Sequence, residues 1–390
     1  MSDRAIIVAA RRSPVGRVGG SLRELPVEAL AAPVIRAVLA DAGLDGAEVD
    51  DVLLGNAVGP GGNVARLSAL AAGLPVSVPG VTVDRQCGSG LEAINLAARL
   101  IQAGAGDVFL AGGVESVSTA PWRVAKPTSL YRSPVFYDRA RFAPDCVGDP
   151  SMGEAAENVA AAYGISRDRQ DSYALASHRK AVAAQEAGRF AREMVPMILP
   201  DGRIIDRDEC PRADSSLAKL ASLPPVFRDG GSVTAGNACP VNDGAAVVVV
   251  VSERKFRALG LTRGLWVVDS QAAGVDPKLL GTGPIPAVKK LLARHPGLSV
   301  ADIDLIEFNE AFAAQVLASL DALGVDEARV CVGGGALALG HPYGASGAIL
   351  MTRLFSEILT PTGSARPRRG LATLGIGGGL GLATLVEPIP

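Results

Sequence analysis

Histidine and cysteine are scarce in this chain. Its 390 residues include three histidines and five cysteines. Cys87, Cys146, Cys210, Cys239 and Cys331 are far apart, odd in number and never spaced Cys-x-x-Cys. That argues against a disulfide framework and against a zinc site, so no metal is expected and a reducing cytoplasm fits best. A surplus of positive charge is missing too. With a formal net charge of −2, little is available to neutralise a phosphate backbone, and a nucleic-acid partner is not expected. Long apolar runs are absent: the longest strongly apolar one, Ala245 to Val251, is far too short to span a bilayer. The opening Met1-Ser2-Asp3-Arg4 leads into a short strand-like run and then Arg11-Arg12, without the apolar stretch a signal peptide needs. The remaining composition, 48% apolar and 20% charged, is that of a globular protein long enough for two domains.

Periodicity and glycine stops give the order of elements. Strand-like runs at Ala5–Ala10, Asp51–Ala57, Val81–Arg85 and Asp107–Gly112 alternate with helical ones at Val27–Ala42, Val64–Ala72 and Gly88–Ala103. This predicts an α/β layer with a largely parallel sheet. Between Ser116 and about Gly244 prolines, aromatics and charges are scattered, with helical stretches near Met152–Tyr163 and Arg169–Ala187. The segment reads as an insertion lying over the first half. Ala245–Val251 re-enters the sheet, and alternation resumes: strands at Leu265–Ser270, Asp304–Phe308 and Arg329–Val332, helices at Pro286–His295, Ala311–Leu323 and Ala345–Ile358, and a closing strand pair at Gly370–Gly375 and Leu382–Glu387. The halves echo each other. Val49–Asn56 resembles Asp302–Asn309, Ser89-Gly90 resembles Ser346-Gly347, and Asp107–Gly113 resembles Gly370–Gly378. A duplicated unit would bring equivalent strand ends, and the ligands that bind there, together across a pseudo-twofold.

Cys87 sits where a strand-like run meets a helix, in Val83-Asp84-Arg85-Gln86-Cys87-Gly88-Ser89-Gly90. A helix N-terminus favours thiolate, the reactive form, so a covalent mechanism would begin here. His341, in Gly340-His341-Pro342-Tyr343-Gly344-Ala345-Ser346-Gly347, is held by proline and glycines ahead of another helix. It is the one histidine suited to take the thiol proton and to serve an oxyanion. His178 is explained by a solvated helix face, and His295 by a helix end meeting the last carbonyls. Asn309 and Glu310, in Asn309-Glu310-Ala311-Phe312, stand at a strand-to-helix turn. Asn309 either caps that helix or holds a water or carbonyl, and Glu310 would complement the helix dipole. Gly375-Ile376-Gly377-Gly378-Gly379 lets backbone N–H groups approach a ligand and is not a nucleotide P-loop.

Together these motifs resemble the thiolase family over essentially the whole chain. Supporting stretches are Ser151-Met152-Gly153-Glu154, Thr234-Ala235-Gly236-Asn237, Asn242-Asp243-Gly244 and Gly281-Thr282-Gly283-Pro284. The resemblance implies duplicated βαβαβαββ halves in an α/β/α/β/α arrangement. Residues 1–115 with 245–264 would form one half, 265–390 the other, and 116–244 a loop insertion for coenzyme A and oligomer contacts. It implies acylation of Cys87 by an acyl-CoA, with His341 as activator. His341 and a water on Asn309 would form one oxyanion site, and the N–H groups of Cys87 and Gly377 the other. Ser151, Met152, Cys239 and Phe312 would line the pantetheine channel, with Arg123, Lys126, Arg132, Arg139 and Arg141 as candidates for the phosphates. No permanently bound cofactor is implied, coenzyme A being a substrate, and a homodimer or homotetramer is expected.

The chain departs from the family at Gly375, where a second cysteine normally exchanges the proton on the substrate's α-carbon. Cysteines are gained at Cys239 and Cys331, and either is a candidate replacement base. The expected activity is acyl-CoA C-acyl transfer, by thiolysis of a 3-ketoacyl-CoA or the reverse condensation. Decarboxylative condensation, thioester hydrolysis and a retired binding subunit are the alternatives.

Overall fold

The computed structural model describes residues 3–361 and 366–389; Met1 and Ser2 lie outside them. The strands that build the core are β1 (Ala5–Arg12), β2 (Asp51–Gly55), β3 (Gly80–Val83), β4 (Val108–Glu115), β5 (Asn242–Ser252), β6 (Leu265–Gly274), β7 (Leu305–Phe308), β8 (Gly370–Ile376) and β9 (Leu380–Pro388). They hydrogen-bond in the order β7-β8-β9-β6-β1-β5-β4-β2-β3. Outward from the β1–β6 contact the two sides mirror each other: β1, β5, β4, β2, β3 on one, and β6, β9, β8, β7 on the other. The mirror is completed by Val330, which makes a parallel bridge to Ile306 as β3 does to β2. The echoes in sequence are thus a duplicated fold.

The sheet is not largely parallel. Only β2–β3, β2–β4 and β7–β8 are parallel pairs. The pairs β4–β5, β5–β1, β1–β6, β6–β9 and β9–β8 are antiparallel. The reason is connection length. Parallel neighbours need a crossover, which the helices after β2 and β7 supply, whereas the three residues Gly377–Gly379 between β8 and β9 allow only a hairpin. The expected strand at Arg329–Val332 shrinks to the Val330 bridge, because Cys331 turns into the left-handed region at φ 44°.

The helices that matter for the site are α1 (Val27–Ala42), α2 (Val64–Ala71), α3 (Ser89–Gln102), α4 (Met152–Tyr163), α5 (Arg167–Glu186), α6 (Pro284–Ala293), α7 (Ala313–Leu323) and α8 (Tyr343–Leu359). Their ends follow local chemistry: Ser151 Oγ accepts the Glu154 N–H at the start of α4, and Gly164 closes it in the left-handed region. Side chains alternate across each strand. Val52, Leu54, Val247 and Val249 face α1 and α2, while Leu53, Ala246, Val248 and Val250 face the interior. There α3 and α8 lie between the two half-sheets, packed with Leu374 and Ile376 from the other side. Helices α6 and α7 cover the far face with Ile306, Phe308 and Leu371. This is the α/β/α/β/α arrangement.

Candidate active site

The inner helices meet through glycines. A Cβ on Gly90 of α3 would lie 2.5 Å from Gly344 O, and one on Gly347 of α8 would lie 2.5 Å from Leu91 N. The duplicated Ser-Gly pairs therefore face each other, and the turns before α3 and α8 converge. One carries Cys87, the other His341.

The Cys87 turn is wound tightly. Gln86 has φ 47°, and its N–H donates to Asp84 Oδ1 at 2.8 Å. Ser89 Oγ accepts from Arg85 N at 2.9 Å. Gly88 has no side chain because Ile376 Cδ1 would lie 2.4 Å from a Cβ there. That approach brings the β8–β9 hairpin over the thiol, and the backbone N–H groups of Gly377 and Cys87 lie close enough to favour its thiolate. These two donors are the pair expected to hold an oxyanion. The thiol itself is not poised as thiolate. Burial pushes it up to about 11, the two N–H groups pull the other way, and Glu115 and Asp84 add to the rise. The helix N-terminus does not prevail, since removing the thiolate from water costs more than its dipole returns.

His341 is buried and oriented from three sides. Its N–H donates to Asn242 Oδ1 at 2.9 Å, Nδ1 lies 2.6 Å from Ser346 Oγ, and Nε2 faces Asn309 Nδ2 at 3.4 Å. Burial lowers its pKa to about 4, so the ring is neutral and can accept a proton. Asn309 does not cap α7; that helix begins at Ala313, with Phe312 in the cap position. Its carbonyl instead accepts from Gln315 Nε2 at 3.0 Å, which leaves the side chain for His341. Glu310 is not a first-turn carboxylate either. It is buried and accepts from Tyr173 Oη at 3.0 Å, Ser177 Oγ at 2.6 Å and Leu337 N at 3.2 Å. His178 is buried, not solvated, and its Nδ1 accepts from Arg212 N at 3.2 Å. The His295 ring lies 3.1 Å from Asp269 Oδ2.

Two cavities flank the site. An apolar one of about 470 Å³ reaches Cys87 and is walled by Met152, Val117, Phe136, Phe142 and Tyr343. A larger, more polar one of about 880 Å³ runs past Cys239, with Arg17, Arg212 and Lys219 on its walls. Cys239 stands near enough for Cys87 to raise its pKa, after the larger effect of burial. Phe312 pairs with Ala238 beside it and meets Phe227 edge-on at 6.2 Å. Met152 reaches the apolar cavity, while Ser151 is an exposed helix cap. Cys331 is not brought to the site. It is wholly buried in another part of the core, and its thiol donates to Phe308 O at 3.2 Å. Of the expected phosphate ligands, Arg139 is held by Asp149 at 3.0 Å and Arg141 by Asp145 at 2.5 Å. Arg123 lines the apolar cavity, and Lys126 and Arg132 are exposed.

Sequence reasoning missed Tyr343, Ser346, Asn242, Glu115, Arg17 and Arg212. Tyr343 and Ser346 lie inside a motif already singled out, so their presence was the signal. Glu115 had none. It ends β4 with no exposure and accepts from Asn56 Nδ2 at 2.8 Å, Ala57 N at 2.9 Å, Val58 N at 3.1 Å and Gly344 N at 2.9 Å. It thereby ties the cavity wall to the His341 turn. Burial raises it to about 7 against the pull of those donors.

Comparison with known proteins bears on this arrangement. The thiolase N-terminal domain model matches residues 5–254, and the thiolase C-terminal domain model matches 264–388. A Staphylococcus haemolyticus protein, VraB, whose name gives acetyl-CoA C-acetyltransferase as an inferred activity, is 47% identical over 98% of each chain. The crystal structure of a Bacillus anthracis acetyl-CoA acetyltransferase superposes with a TM-score of 0.92 at 40% identity, over 99% of both chains. Human mitochondrial 3-ketoacyl-CoA thiolase gives 0.92 at 35% identity, over 99% of this chain and 98% of that one.

Proposed function

The chain belongs to the thiolase family and is an acyltransferase, and from that premise we propose that it thiolyses 3-ketoacyl-CoA through an acyl-Cys87 intermediate. The observation that carries this is the pair of N–H groups, from Cys87 and Gly377, close enough to one half-buried thiol to favour its thiolate. A carbonyl attacked by Sγ places its oxygen among such donors, and oxyanion donors of this kind each contribute about 10²–10³ in rate. His341, neutral and held by Ser346, takes the thiol proton. Because the thiol is at rest protonated and the imidazole unprotonated, proton transfer and attack are coupled. The polar cavity with Arg17, Arg212 and Lys219 receives the coenzyme A moiety, and the apolar one receives the acyl group. Coenzyme A acts as a substrate, and no resident cofactor takes part.

Incubation with acetyl-CoA should add one acetyl group to the protein by mass spectrometry, and Cys87→Ser should abolish it. Retention of the adduct in that variant would sink the assignment. Gly375 favours a second reading, decarboxylative condensation on the same acyl-enzyme, which needs no α-proton base. Malonyl-CoA supporting turnover, with 3-ketoacyl-CoA plus coenzyme A inactive, would select it. A homo-oligomer is proposed as well, supported by the solvent-facing hairpin strands Val124–Ala125 and Val135–Phe136 with Trp122 and Tyr131 nearby.

A further inference from the structure

Thiolysis leaves a carbanion on C2 of the departing acyl-CoA, and a group must protonate it. Position 375 cannot supply one. A Cβ there would lie 2.6 Å from Gly281 Cα and 2.8 Å from Gln315 Oε1, so backbone has closed over the place of the family's second cysteine. Cys331 is committed to Phe308 in the core. Cys239 lines the polar cavity and stands near Cys87, which makes it the competing donor that the test must separate.

Tyr343 does open to the cavity of Cys87. Its ring stands edge-on to His341, centroids 5.2 Å apart, and Gly344 beside it is tied to Glu115. Its hydroxyl makes no hydrogen bond among the described residues, whereas Tyr173 Oη donates to Glu310 and Ser346 Oγ meets His341 Nδ1. A phenol at the wall of an apolar cavity normally finds a partner; here the free space beside it is where substrate would lie.

We propose that Tyr343 is the acid that protonates C2 of the departing acyl-CoA, taking over the task of the cysteine absent at Gly375. The proposal rests on the thiolysis reading above. The steps balance as follows. His341 takes the Cys87 proton, and Sγ bonds to C3 of the 3-ketoacyl-CoA. The C2–C3 bond breaks, and its electron pair moves to C2 and the thioester oxygen as an enolate. Tyr343 gives its O–H proton to C2, leaving phenolate, and acetyl-CoA departs while the shortened acyl group stays on Cys87. Free coenzyme A gives its thiol proton to the phenolate and attacks the acyl carbon. Cys87 Sγ leaves and recovers the proton held on His341. A phenol, with an ordinary pKa of about 10, is a far stronger acid than a thioester α-carbon. Burial, and then the neighbouring Cys239 and Cys87, push its pKa up and keep it in the donor form. In the reverse direction the minor phenolate form removes the α-proton, so exchange of the acetyl-CoA methyl protons is slower than thiolysis but present.

The test is Tyr343→Phe, read in three ways: Cys87 acetylation by acetyl-CoA, exchange of the acetyl-CoA methyl protons with deuterated water, and steady-state thiolysis. Acetylation needs no C2 proton transfer and should proceed in the variant, which also reports that the site is folded. Exchange should vanish and thiolysis should fall by about 100-fold or more, as for loss of a positioned acid. Thiolysis within about threefold of wild type, or exchange retained, overturns the proposal. Loss of acetylation along with exchange also overturns it, because the hydroxyl would then act before C2 is reached. Exchange lost in Cys239→Ala but kept in Tyr343→Phe assigns the proton to Cys239 instead. A wild-type protein that is acetylated yet shows no exchange refutes this inference alone; one that does neither refutes the acyl-enzyme as well.

Discussion

At Cys87 two effects oppose each other. The N–H groups of Gly377 and Cys87 stabilise a thiolate, and burial destabilises it more, leaving the group at about 11. The partner that must receive its proton, His341, is lowered to about 4 by burial. Both residues are therefore neutral across the physiological range, and no thiolate–imidazolium pair is stored. The consequence is visible in alkylation. Only thiolate reacts with iodoacetamide, so the Cys87 rate should climb about tenfold per pH unit through neutrality, without a plateau below about 11. A plateau reached near pH 7 would mean that the ion pair forms at rest. On the acid side the acylation rate should fall only as His341 gains its proton near pH 4, because the charged ring can accept nothing.

The elements that carry these residues hold them by close contact at their N-termini. Gly347 faces the Leu91 backbone, with only 2.5 Å between an added Cβ and the Leu91 nitrogen. Gly347→Ala must push α3 and α8 apart. Overpacking of this kind costs about 1–3 kcal/mol, measurable by denaturant unfolding. Cys87 acetylation should slow at the same time, since the helices carry the nucleophile and its activator. A variant that unfolds earlier but acetylates at the wild-type rate would separate packing from the site. What was legible in the sequence follows the same division. Helices with local stop signals, such as Val27–Ala42 closed by Gly43 and Met152–Tyr163 closed by Gly164, are written in consecutive residues. So are the turns bearing Cys87 and His341. Strand direction in the middle of the sheet is not, because it depends on which distant strands become neighbours. Burial is likewise set by elements far away in sequence, which is why local sequence gives His178 a solvated face and Glu310 a place in a helix's first turn. Glu115 was invisible because its donors come from the Asn56 turn and from Gly344, at opposite ends of the chain.

Across the whole molecule, the first half, the insertion and the last helix are joined by one buried charge network. Arg12 of β1 donates to Glu193 at 2.8 Å and to Asp208 at 2.7 and 2.9 Å, and Arg353 of α8 donates to Glu193 at 2.7 Å and to Glu357 at 2.8 Å. Phe190 lies against both guanidiniums, 5.2 Å from one and 4.6 Å from the other. Such a network contributes little net stability relative to an apolar core, but breaking it leaves charge stranded, at a cost of about 3–5 kcal/mol. Arg12→Met should show that loss at neutral pH. Its dependence on pH is the sharper test. Burial raises the Glu193 carboxyl, but Arg353 and Arg12 outweigh it and hold the group below its ordinary 4.5. A carboxyl lowered in the folded state contributes stability that is complete above 4.5 and is lost as pH falls through the folded value. With Arg12 gone one cation remains, burial gains ground and the folded pKa rises. Acid unfolding of Arg12→Met should therefore begin at higher pH than in the wild type. Parallel acid limbs, displaced only by a constant free energy, would show that Arg353 alone sets the protonation of Glu193.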